Sequence, residues 1–343
     1  MAINRITMQD IADSLGLSRN TVSKALNGNP AVPASTRKMV IQKAASLGYK
    51  NYAAAGQEQI GGSNKGGTIA FFASVMPGKN HFGSQFLTGF TEHISRGSYT
   101  LSVYILRPED IAACRAPMNF SHEQVSGILC IEMFDPPYCD FICAMNKPVL
   151  FADTYVIPAQ RSLRADIMMM ENRKSTESLV SYMIKKGAES IGFIGDRNHC
   201  QGFAERWEGF YRALVQAGLS VNPGQCILDD NREPYNDSDW MTEKLRVMGE
   251  LPRAFMCAND TLALSVLEAL KTLGKSAPQD VMVAGFDNNL ETQLLQPRLS
   301  TVHIPSYEMG VAAADTMLRR IERPGFPYTT TYMQTTPQFR EST

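Results

Sequence analysis

Three side chains near the start of one predicted helix carry groups that can read the edges of nucleobases: Arg19, Asn20 and Lys24. A guanidinium can donate twice to guanine and a carboxamide can pair bidentately with adenine, while Lys24 follows one turn further along. Hydroxyl side chains and helix N-termini nearby are suited to phosphates, which set the docking register. The DNA contacts predicted from the residues of this segment are Thr7, Ser18, Arg19, Asn20, Thr21, Ser23, Lys24 and Asn27.

Polar side chains also follow several apolar strands in the rest of the chain. Carboxylate, amide and guanidinium groups that converge at strand ends suit a small ligand rich in hydroxyl groups. The alternative role for each acid is helix capping, which we favour for Asp260 because the helical pattern TLALSVLEAL follows it directly. The candidates are Asp153 after PVLFA, Asp196 after SIGFIG, Asn259 and Asp260 after AFMCA, Asp287 after VMVAGF, and Arg206 in AERWEGF. Aromatic faces for such a ligand are available from Phe72, His81, Phe82, Tyr155 and Trp207.

The base-reading side chains require a short helix that packs against two others. Thr7 indicates a capped helix start, Gly16 ends that helix, and Ser18 caps a second helix from Arg19 to about Leu26. A third helix is predicted from about Ser35 to Leu47. Two short helices joined by a tight turn, with a third packing helix, form a helix-turn-helix.

From Thr68 onward, apolar strands alternate with longer helical patterns. This alternation predicts parallel sheets covered by helices on both faces, arranged as two doubly wound halves with a cleft between them. The predicted strands are Thr68–Val75, Thr100–Leu106, Gly127–Glu132, Pro148–Ala152, Ser190–Gly195, Gln225–Asp229, Ala254–Ala258, Val281–Phe286 and Ser300–Ile304. The predicted helices are Gly83–Arg96, Arg173–Gly187, Phe203–Ala217, Thr261–Leu273 and Ser306–Ile321.

Charge is distributed unevenly along the 343 residues, whose net charge is only −1. Residues 1–66 hold eight basic and three acidic side chains, a net charge of +5, and the remainder holds 25 basic and 31 acidic, a net charge of −6. A small basic segment joined to a large acidic one is a hint of nucleic-acid contact by the basic part, although charge alone favours a solvated basic face. The chain length predicts two or three folding units.

Several classes of protein are excluded or disfavoured. No apolar run approaches the roughly 18 residues of a membrane span, and the N-terminus lacks a secretory pattern, so we expect a cytoplasmic protein. The seven cysteines are odd in number and widely spread, which favours structural thiols over disulfides or metal ligands. The histidines show no spacing typical of a catalytic base beside a nucleophile, so we predict neither an enzyme nor a cofactor.

The stretch ITMQDIADSLGLSRNTVSKALNGNPAVPASTRKMVIQKAASLGY resembles the DNA-binding headpiece of the lactose/galactose repressor (LacI/GalR) family. Its pieces DIA, G-L-S-x-x-T-V-S, ALNG, S-x-x-TR and LGY all occur in register. By this resemblance, the positions of Arg19, Asn20 and Lys24 read bases. The implied fold class is α/β, with a three-helix headpiece and a bilobed, periplasmic-binding-protein-like core of two doubly wound parallel sheets.

The segments CANDTLALSVLEALKTLGKSAPQDVMVAGFDNN and PRLSTVHIPSYEMGVAAADTMLRRI resemble the effector-binding core of the same family, which is related to periplasmic sugar-binding proteins. The implied divisions are a headpiece at 1–50, a hinge at 51–67 and a core at 68–343, with an N-lobe of about 68–170 plus 305–332 and a C-lobe of about 171–304 plus 333–343. Together with Phe82, the resemblance yields the predicted effector contacts Phe72, Ala73, Ser74, Phe82, Asp153, Arg206, Asn259 and Asp287.

The hinge departs from the family's pattern. The family usually continues with a proline–asparagine pair and a short helix bearing a leucine that wedges into the minor groove. Counting forward from Tyr49 places Glu58 at the leucine position, whereas counting back from the next strand brings Ile60 close to it. Both alternatives remain open.

The leading prediction for function is a dimeric, ligand-controlled transcription regulator. Two headpieces would read half-sites of a near-palindromic operator, because twofold protein symmetry maps onto the DNA. A small molecule, most often a sugar in this family, would bind between the lobes and change the angle between them. The alternatives are control by a phosphocarrier protein, a sugar-binding protein of transport or chemosensing, and a cleft enzyme that acts on sugars or nucleosides.

Overall fold

A computed structural model describes residues 7–26, 29, 32–47, 66–78 and 82–343, and the chain separates into the units Met1–Lys65 and Gly66–Thr343. The first unit contains the three predicted helices, α1 (Met8–Leu15), α2 (Arg19–Leu26) and α3 (Ala34–Ser46). Thr7 and Asp10 form a reciprocal capping box at the start of α1, and Gly16 ends the helix with φ of 64°. The helices enclose a small core of Ile11, Ala12, Val22, Ala25, Leu26, Val32, Val40 and Ala44.

The N-lobe of the second unit is built on a six-stranded sheet whose strands all run parallel, in the order β2-β1-β3-β4-β5-β10. Side chains of β1 alternate between two cores, since Phe71 packs on one face of the sheet and Phe72 on the other. The strands are β1 (Thr68–Ala73), β2 (Thr100–Ile105), β3 (Val125–Ile131), β4 (Val149–Ala152), β5 (Asp166–Met170) and β10 (Thr330–Met333). The helices are α4 (Phe82–Arg96), α5 (Pro108–Ala112), α6 (Pro136–Cys143) and α12 (Ser306–Glu322).

The C-lobe contains a three-stranded parallel sheet, which Ile227 and Ser300 extend by single bridges. Beside it, β9 pairs antiparallel with β11. The strands are β6 (Ile191–Ile194), β7 (Ala254–Cys257), β8 (Met282–Ala284), β9 (Thr301–His303) and β11 (Thr336–Gln338). The helices are α7 (Arg173–Lys185), α8 (Gln201–Gln216), α9 (Ser238–Met248), α10 (Asp260–Thr272) and α11 (Leu290–Leu294). Two α/β lobes with parallel sheets confirm the predicted fold class.

Helices α4 and α12 pack closely against each other, and together they cover one face of the N-lobe sheet. A Cβ atom at Gly89 would collide with the carbonyl of Tyr307, and one at Gly310 would collide with the carbonyl of Phe86. Glycine at both positions therefore allows the two helix backbones to approach each other directly. None of the helices in the described part of the chain is long and apolar enough to span a membrane.

The predicted strand Gln225–Asp229 is wrong. Its first residue belongs to the 3₁₀ turn Pro223–Gln225, and only Ile227 bridges to β6. The hydroxyl of Tyr235 donates to the carbonyl of Asp229 at 2.8 Å, so that carbonyl is bound by a side chain and not by a strand. The prediction also missed β5, β10 and β11, of which β10 and β11 have no long apolar run to mark them.

A buried ion pair joins α12 to β5, and its loss is expected to destabilise the second unit. Arg320 donates to both carboxylate oxygens of Asp166 at 2.8 and 3.0 Å, and the backbone N–H of Thr329 donates to the same carboxylate at 2.9 Å. Asp166→Ala should lower the free energy of unfolding in urea by about 3–5 kcal/mol, because the guanidinium stays buried without its partner. Asp140→Ala breaks the exposed pair with Arg161 and should cost about 1 kcal/mol or less. Equal losses for the two variants would contradict this assignment.

Candidate DNA-contacting helix and interlobe cleft

Helix α2 displays the three predicted base-reading side chains on its exposed face. Arg19, Asn20 and Lys24 are all exposed, and Asn20 and Lys24 lie one turn apart. The opposite face, which includes Val22 and Ala25, is fully buried against α1 and α3. The apolar face thus fixes the orientation in which the polar face meets solvent.

The hydroxyl groups around α2 also have structural roles. Ser18 caps α2, since its Oγ accepts a hydrogen bond from the backbone N–H of Thr21 at 3.0 Å, and Thr7 caps α1. Thr21 and Ser23 are half-buried beside the exposed basic side chains. Two other predicted DNA contacts, Asn27 and Ile60, lie outside the described residues, as does Glu58.

In the second unit, the side chain of Arg206 extends from α8 towards the strand ends of the C-lobe, where it lies at the centre of a buried polar cluster. Its Nε donates to Oδ1 of Asn172 at 2.9 Å, and its Nη1 donates to the carbonyl of Ala258 at 2.7 Å. Nη1 also lies 3.7 Å from a carboxylate oxygen of Asp287, and the guanidinium stacks 3.7 Å above the ring of Phe286. Arg206 is 4% exposed, so these contacts hold its charge at one position.

The capping role predicted for Asp260 belongs to its neighbour Asn259. Asn259 caps α10 by accepting from the backbone N–H of Leu262 at 2.9 Å. The favoured capping role of Asp260 is therefore wrong: its carboxylate is buried and accepts from the hydroxyl of Thr301 and the backbone N–H of Asn289. Burial and the nearby charge of Asp287 raise the pKa of Asp260.

Asp153 connects the two lobes directly. It follows β4 of the N-lobe, and its Oδ1 accepts hydrogen bonds from the backbone N–H of Thr154 at 2.7 Å and of Gly202, in α8, at 3.2 Å. The backbone N–H of Gln201 also donates to the carbonyl of Thr154 at 2.7 Å. Burial raises the pKa of Asp153 to about 6, against the opposing effect of these hydrogen bonds and of Arg206.

Three acidic residues with positive φ angles lie near the strand ends that border the cleft. Glu132, Asp153 and Asp287 adopt positive φ angles of 54°, 60° and 116°. Each conformation is unfavourable for a residue with a side chain, by about 1–3 kcal/mol, and such residues cluster at functional sites. All three carboxylates come immediately or shortly after strands, at the edge where ligands of open α/β sheets bind.

Two cavities open between the lobes at this edge. The first, termed the Glu132 cavity, has a volume of about 440 Å³, and its lining includes Ser74, Glu132, Phe134, Asp196, His199 and Asn231. The second, termed the Asp287 cavity, has a volume of about 480 Å³, and its lining includes Phe82, Gln85, Asp287, Asn288, His303 and Tyr307. Each volume is in the range of small-molecule sites, and each lining mixes hydrogen-bonding and aromatic groups.

Four other predicted ligand contacts line neither cavity: Phe72, Ala73, Tyr155 and Trp207. Phe72 is fully buried, with its ring edge-on to Tyr104 and Phe120 at 5.8 and 5.2 Å, and Ala73 is 2% exposed. Both belong to the N-lobe cores, because β1 is covered on both faces. Trp207 packs against Phe193 and Phe210, Tyr155 is buried in the N-lobe, and His81 lies outside the described residues.

Glu205 and its partners were missed by sequence reasoning. Glu205 is fully buried and accepts from Nδ2 of Asn172 at 2.9 Å and from the hydroxyl of Tyr332 at 2.7 Å, while Arg173 lies 3.0 Å away. Asn172 and Arg173 follow β5, and Tyr332 is on β10, so the partners belong to two segments that cross between the lobes. Because neither strand was predicted, no local signal pointed to this cluster.

The geometry defines a class of protein, in which a helix-turn-helix unit is followed by two α/β lobes with polar cavities between them. Residues 7–51 match the model of bacterial regulatory proteins of the lacI family, and residues 180–343 match a periplasmic binding protein-like domain. The chain therefore carries a helix-turn-helix domain of the lacI family, followed by a periplasmic-binding-protein-like domain.

Individual relatives and solved structures match this chain along almost its whole length. The ribose operon repressor of Haemophilus influenzae is 25% identical over 336 residues, which cover 98% of each chain. The structure of the Lac repressor dimer bound to operator and an anti-inducer superposes with a TM-score of 0.70, at 20% identity and 99% coverage of both chains. The complex of the transcriptional regulator CelR with cellobiose superposes with a TM-score of 0.68, at 22% identity, and covers 99% of this chain and 100% of that one.

Proposed function

We propose that this chain is a sequence-specific DNA-binding repressor whose operator affinity is controlled by a sugar bound between the lobes. The observation that carries the proposal is that the chain has both an exposed helix with base-reading side chains and a buried Arg206 that faces Asp287 in the lining of an interlobe cavity. It would act as a homodimer on a near-palindromic operator. Its place of action is the bacterial cytoplasm, and it works by binding and not by catalysis.

On DNA, α2 would enter the major groove. The exposed Arg19 would donate to guanine and Asn20 to adenine, while Lys24 and the helix N-terminal hydroxyls would contact bases and phosphates beside them. Ile60 remains our candidate for the minor-groove wedge, with Glu58 as the alternative. Because phosphates contribute much of the affinity, binding should weaken steeply with salt.

For the ligand, the cavities offer both hydrogen-bond acceptors and donors. Carboxylates such as Glu132 and Asp287 accept from hydroxyl groups, and amides such as Asn231 can both donate and accept. A sugar hydroxyl also both donates and accepts, so it can pair with either kind of group. The names of the relatives that refer to ribose and cellobiose support a carbohydrate effector.

The lobes would adopt two arrangements that differ in the angle between them, and the ligand would bind one arrangement more tightly than the other. Control of DNA binding would follow from this difference in affinity. A ligand that contacts both lobes prefers the angle at which both sets of contacts form, and it shifts the population accordingly. The usual coupling of about 1–3 kcal/mol corresponds to a change in operator affinity of about 5- to 150-fold. Sugar binding should therefore be detectable as a change in operator binding.

A ligand screen with an operator-binding readout tests the proposal. In a thermal-shift screen of sugars, nucleosides and amino acids, we expect a sugar to raise the melting temperature and to change affinity for an operator fragment selected in vitro. Asp287→Asn should abolish both effects, since asparagine tolerates the positive φ but removes the charge that faces Arg206. Asp239→Ala, at an exposed carboxylate on α9, is the matched control. A sugar response that survives Asp287→Asn would contradict the assignment of the cleft.

A further inference from the structure

Two aromatic rings meet across the cleft, one from each lobe. Phe134 follows β3 of the N-lobe, and His199 precedes α8 of the C-lobe. Their ring centroids lie 4.9 Å apart at 75°, an edge-to-face contact. On its other side, His199 makes a second edge-to-face contact with Phe203 at 5.1 Å. The imidazole is thus packed between a ring of its own lobe and a ring of the opposite lobe.

One hydrogen bond, to Asn231, orients the imidazole of His199. Nδ2 of Asn231 lies 2.6 Å from Nδ1 of His199, and because an amide nitrogen only donates, Nδ1 accepts. The proton of the neutral ring is therefore on Nε2, which has no hydrogen-bond partner among the residues that the structure describes. The backbone of Asn231 is itself held in place by Asp196, whose Oδ2 accepts a hydrogen bond from the N–H of Asn231 at 3.1 Å.

The surroundings of His199 disfavour its protonated form. Burial lowers the pKa of the imidazole; Asp196 and then Glu132 oppose this with smaller effects, and Arg206 adds the smallest effect, in the lowering direction. Asp135 and Asp230 are the other carboxylates in the lining of the Glu132 cavity, and Asp230 is paired with Arg232. Protonation would also place a proton on Nδ1, so the N–H···N hydrogen bond from Asn231 would be broken unless its amide rotates to present the oxygen.

We propose that the contact between Phe134 and His199 is a proton-sensitive latch, which holds the lobes together while His199 is neutral and releases them when it is protonated. In the released state the ring would be hydrated and would recover its ordinary affinity for a proton. Protons therefore bind preferentially to the released state, and by linkage they favour it.

The direction of the pH effect follows from this preference. The pKa of His199 is lowered in the latched state, so the stabilisation of that state is fully present above the ordinary histidine value of about 6.5 and decreases as the pH falls below it. An effector that binds the closed lobes should bind more weakly in the same acidic range. The device would link the regulator to cytoplasmic acidification.

The test measures the separation of the lobes in the full chain without ligand. Spin labels attached to ketone-bearing amino acids at Met118 of the N-lobe and Val247 of the C-lobe avoid the native cysteines, and both sites are well exposed. Pulsed electron paramagnetic resonance should show a short distance at pH 8 and a growing population of longer distances at pH 5.5. No change with pH in the wild-type chain would overturn the proposal.

Three variants separate the latch from a general effect of acid. His199→Phe keeps an aromatic ring but cannot be protonated, so longer distances should be much rarer at pH 5.5 than in the wild type, even though Asp153, which also joins the lobes, has a pKa of about 6. Phe134→Leu removes the ring of the opposite lobe, and longer distances should appear at pH 8 as well. His122→Phe, at a histidine outside both cavities, should respond to pH as the wild type does. The latch is refuted if His199→Phe opens in acid like the wild type, or if Phe134→Leu leaves the distances unchanged while circular dichroism shows both variants folded.

Discussion

Arg206→Ala is expected to abolish the response of operator binding to the cleft ligand and to destabilise the second unit. The guanidinium contacts Asn172, the carbonyl of Ala258 and Asp287 at once, and its removal takes a hydrogen-bond donor from the first two and the facing cation from Asp287. The loss of one partner from a buried charge cluster costs about 3–5 kcal/mol. The stacking on Phe286 at 3.7 Å is lost as well.

Two further variants separate ligand recognition from stability. Arg206→Lys retains the charge but not the planar fork, so the chain should stay folded while the thermal shift by the ligand falls sharply. Arg212→Ala removes an exposed arginine from the same helix, where it pairs with Glu177 at 3.3 Å, and it should cost about 1 kcal/mol or less. Urea unfolding, thermal shift and operator binding on all three proteins provide the comparison. The cleft assignment fails if Arg206→Lys responds to ligand like the wild type.

Arg19→Ala should weaken binding to the specific operator by about 5- to 150-fold, the equivalent of the roughly 1–3 kcal/mol of a bidentate base contact. Lys24→Ala should also weaken binding, with a shallower dependence on salt if the ammonium contacts a phosphate. Neither change should affect folding, because both side chains are exposed and the buried face of α2 is untouched.

Two DNA fragments are needed to distinguish a contact that reads bases from a purely electrostatic contribution to DNA affinity. Arg19→Ala should reduce the ratio of affinities for the operator and for a scrambled fragment, whereas Lys38→Ala, at an exposed lysine on α3, should leave that ratio unchanged. Fluorescence anisotropy at fixed salt measures both affinities. If Arg19→Ala keeps the full ratio, α2 is not the recognition helix.

Local signals were sufficient for the first unit. The cap at Thr7, the left-handed glycine at position 16 and the cap at Ser18 are each encoded within four residues, and the structure confirms all three. The alternation of strands and helices in the second unit was equally visible, because buried parallel strands are continuously apolar. Register and pairing partner, by contrast, depend on distant segments, which is why β10 and β11 were missed.

The cleft was predictable only in part, for three physical reasons. Asn259 and Asp260 are both good capping residues one position apart, and only the actual helix start decides which of them caps. Phe72 lies at a strand end but on a strand covered on both faces, so its ring is in a core and not at a surface. The Glu205 cluster combines residues from segments more than 120 positions apart, a distance that no local pattern spans.

The position of β10 at the edge of the N-lobe sheet has a consequence for biosynthesis. The headpiece can fold as soon as its three helices leave the ribosome, but the N-lobe needs α12 and β10, which are made after nearly the whole C-lobe. At about 5–20 residues per second, the apolar face of α4 that α12 covers waits many seconds for its partner. During that interval α4 lacks the helix that packs against it in the finished lobe, so the order of assembly differs from the order of synthesis.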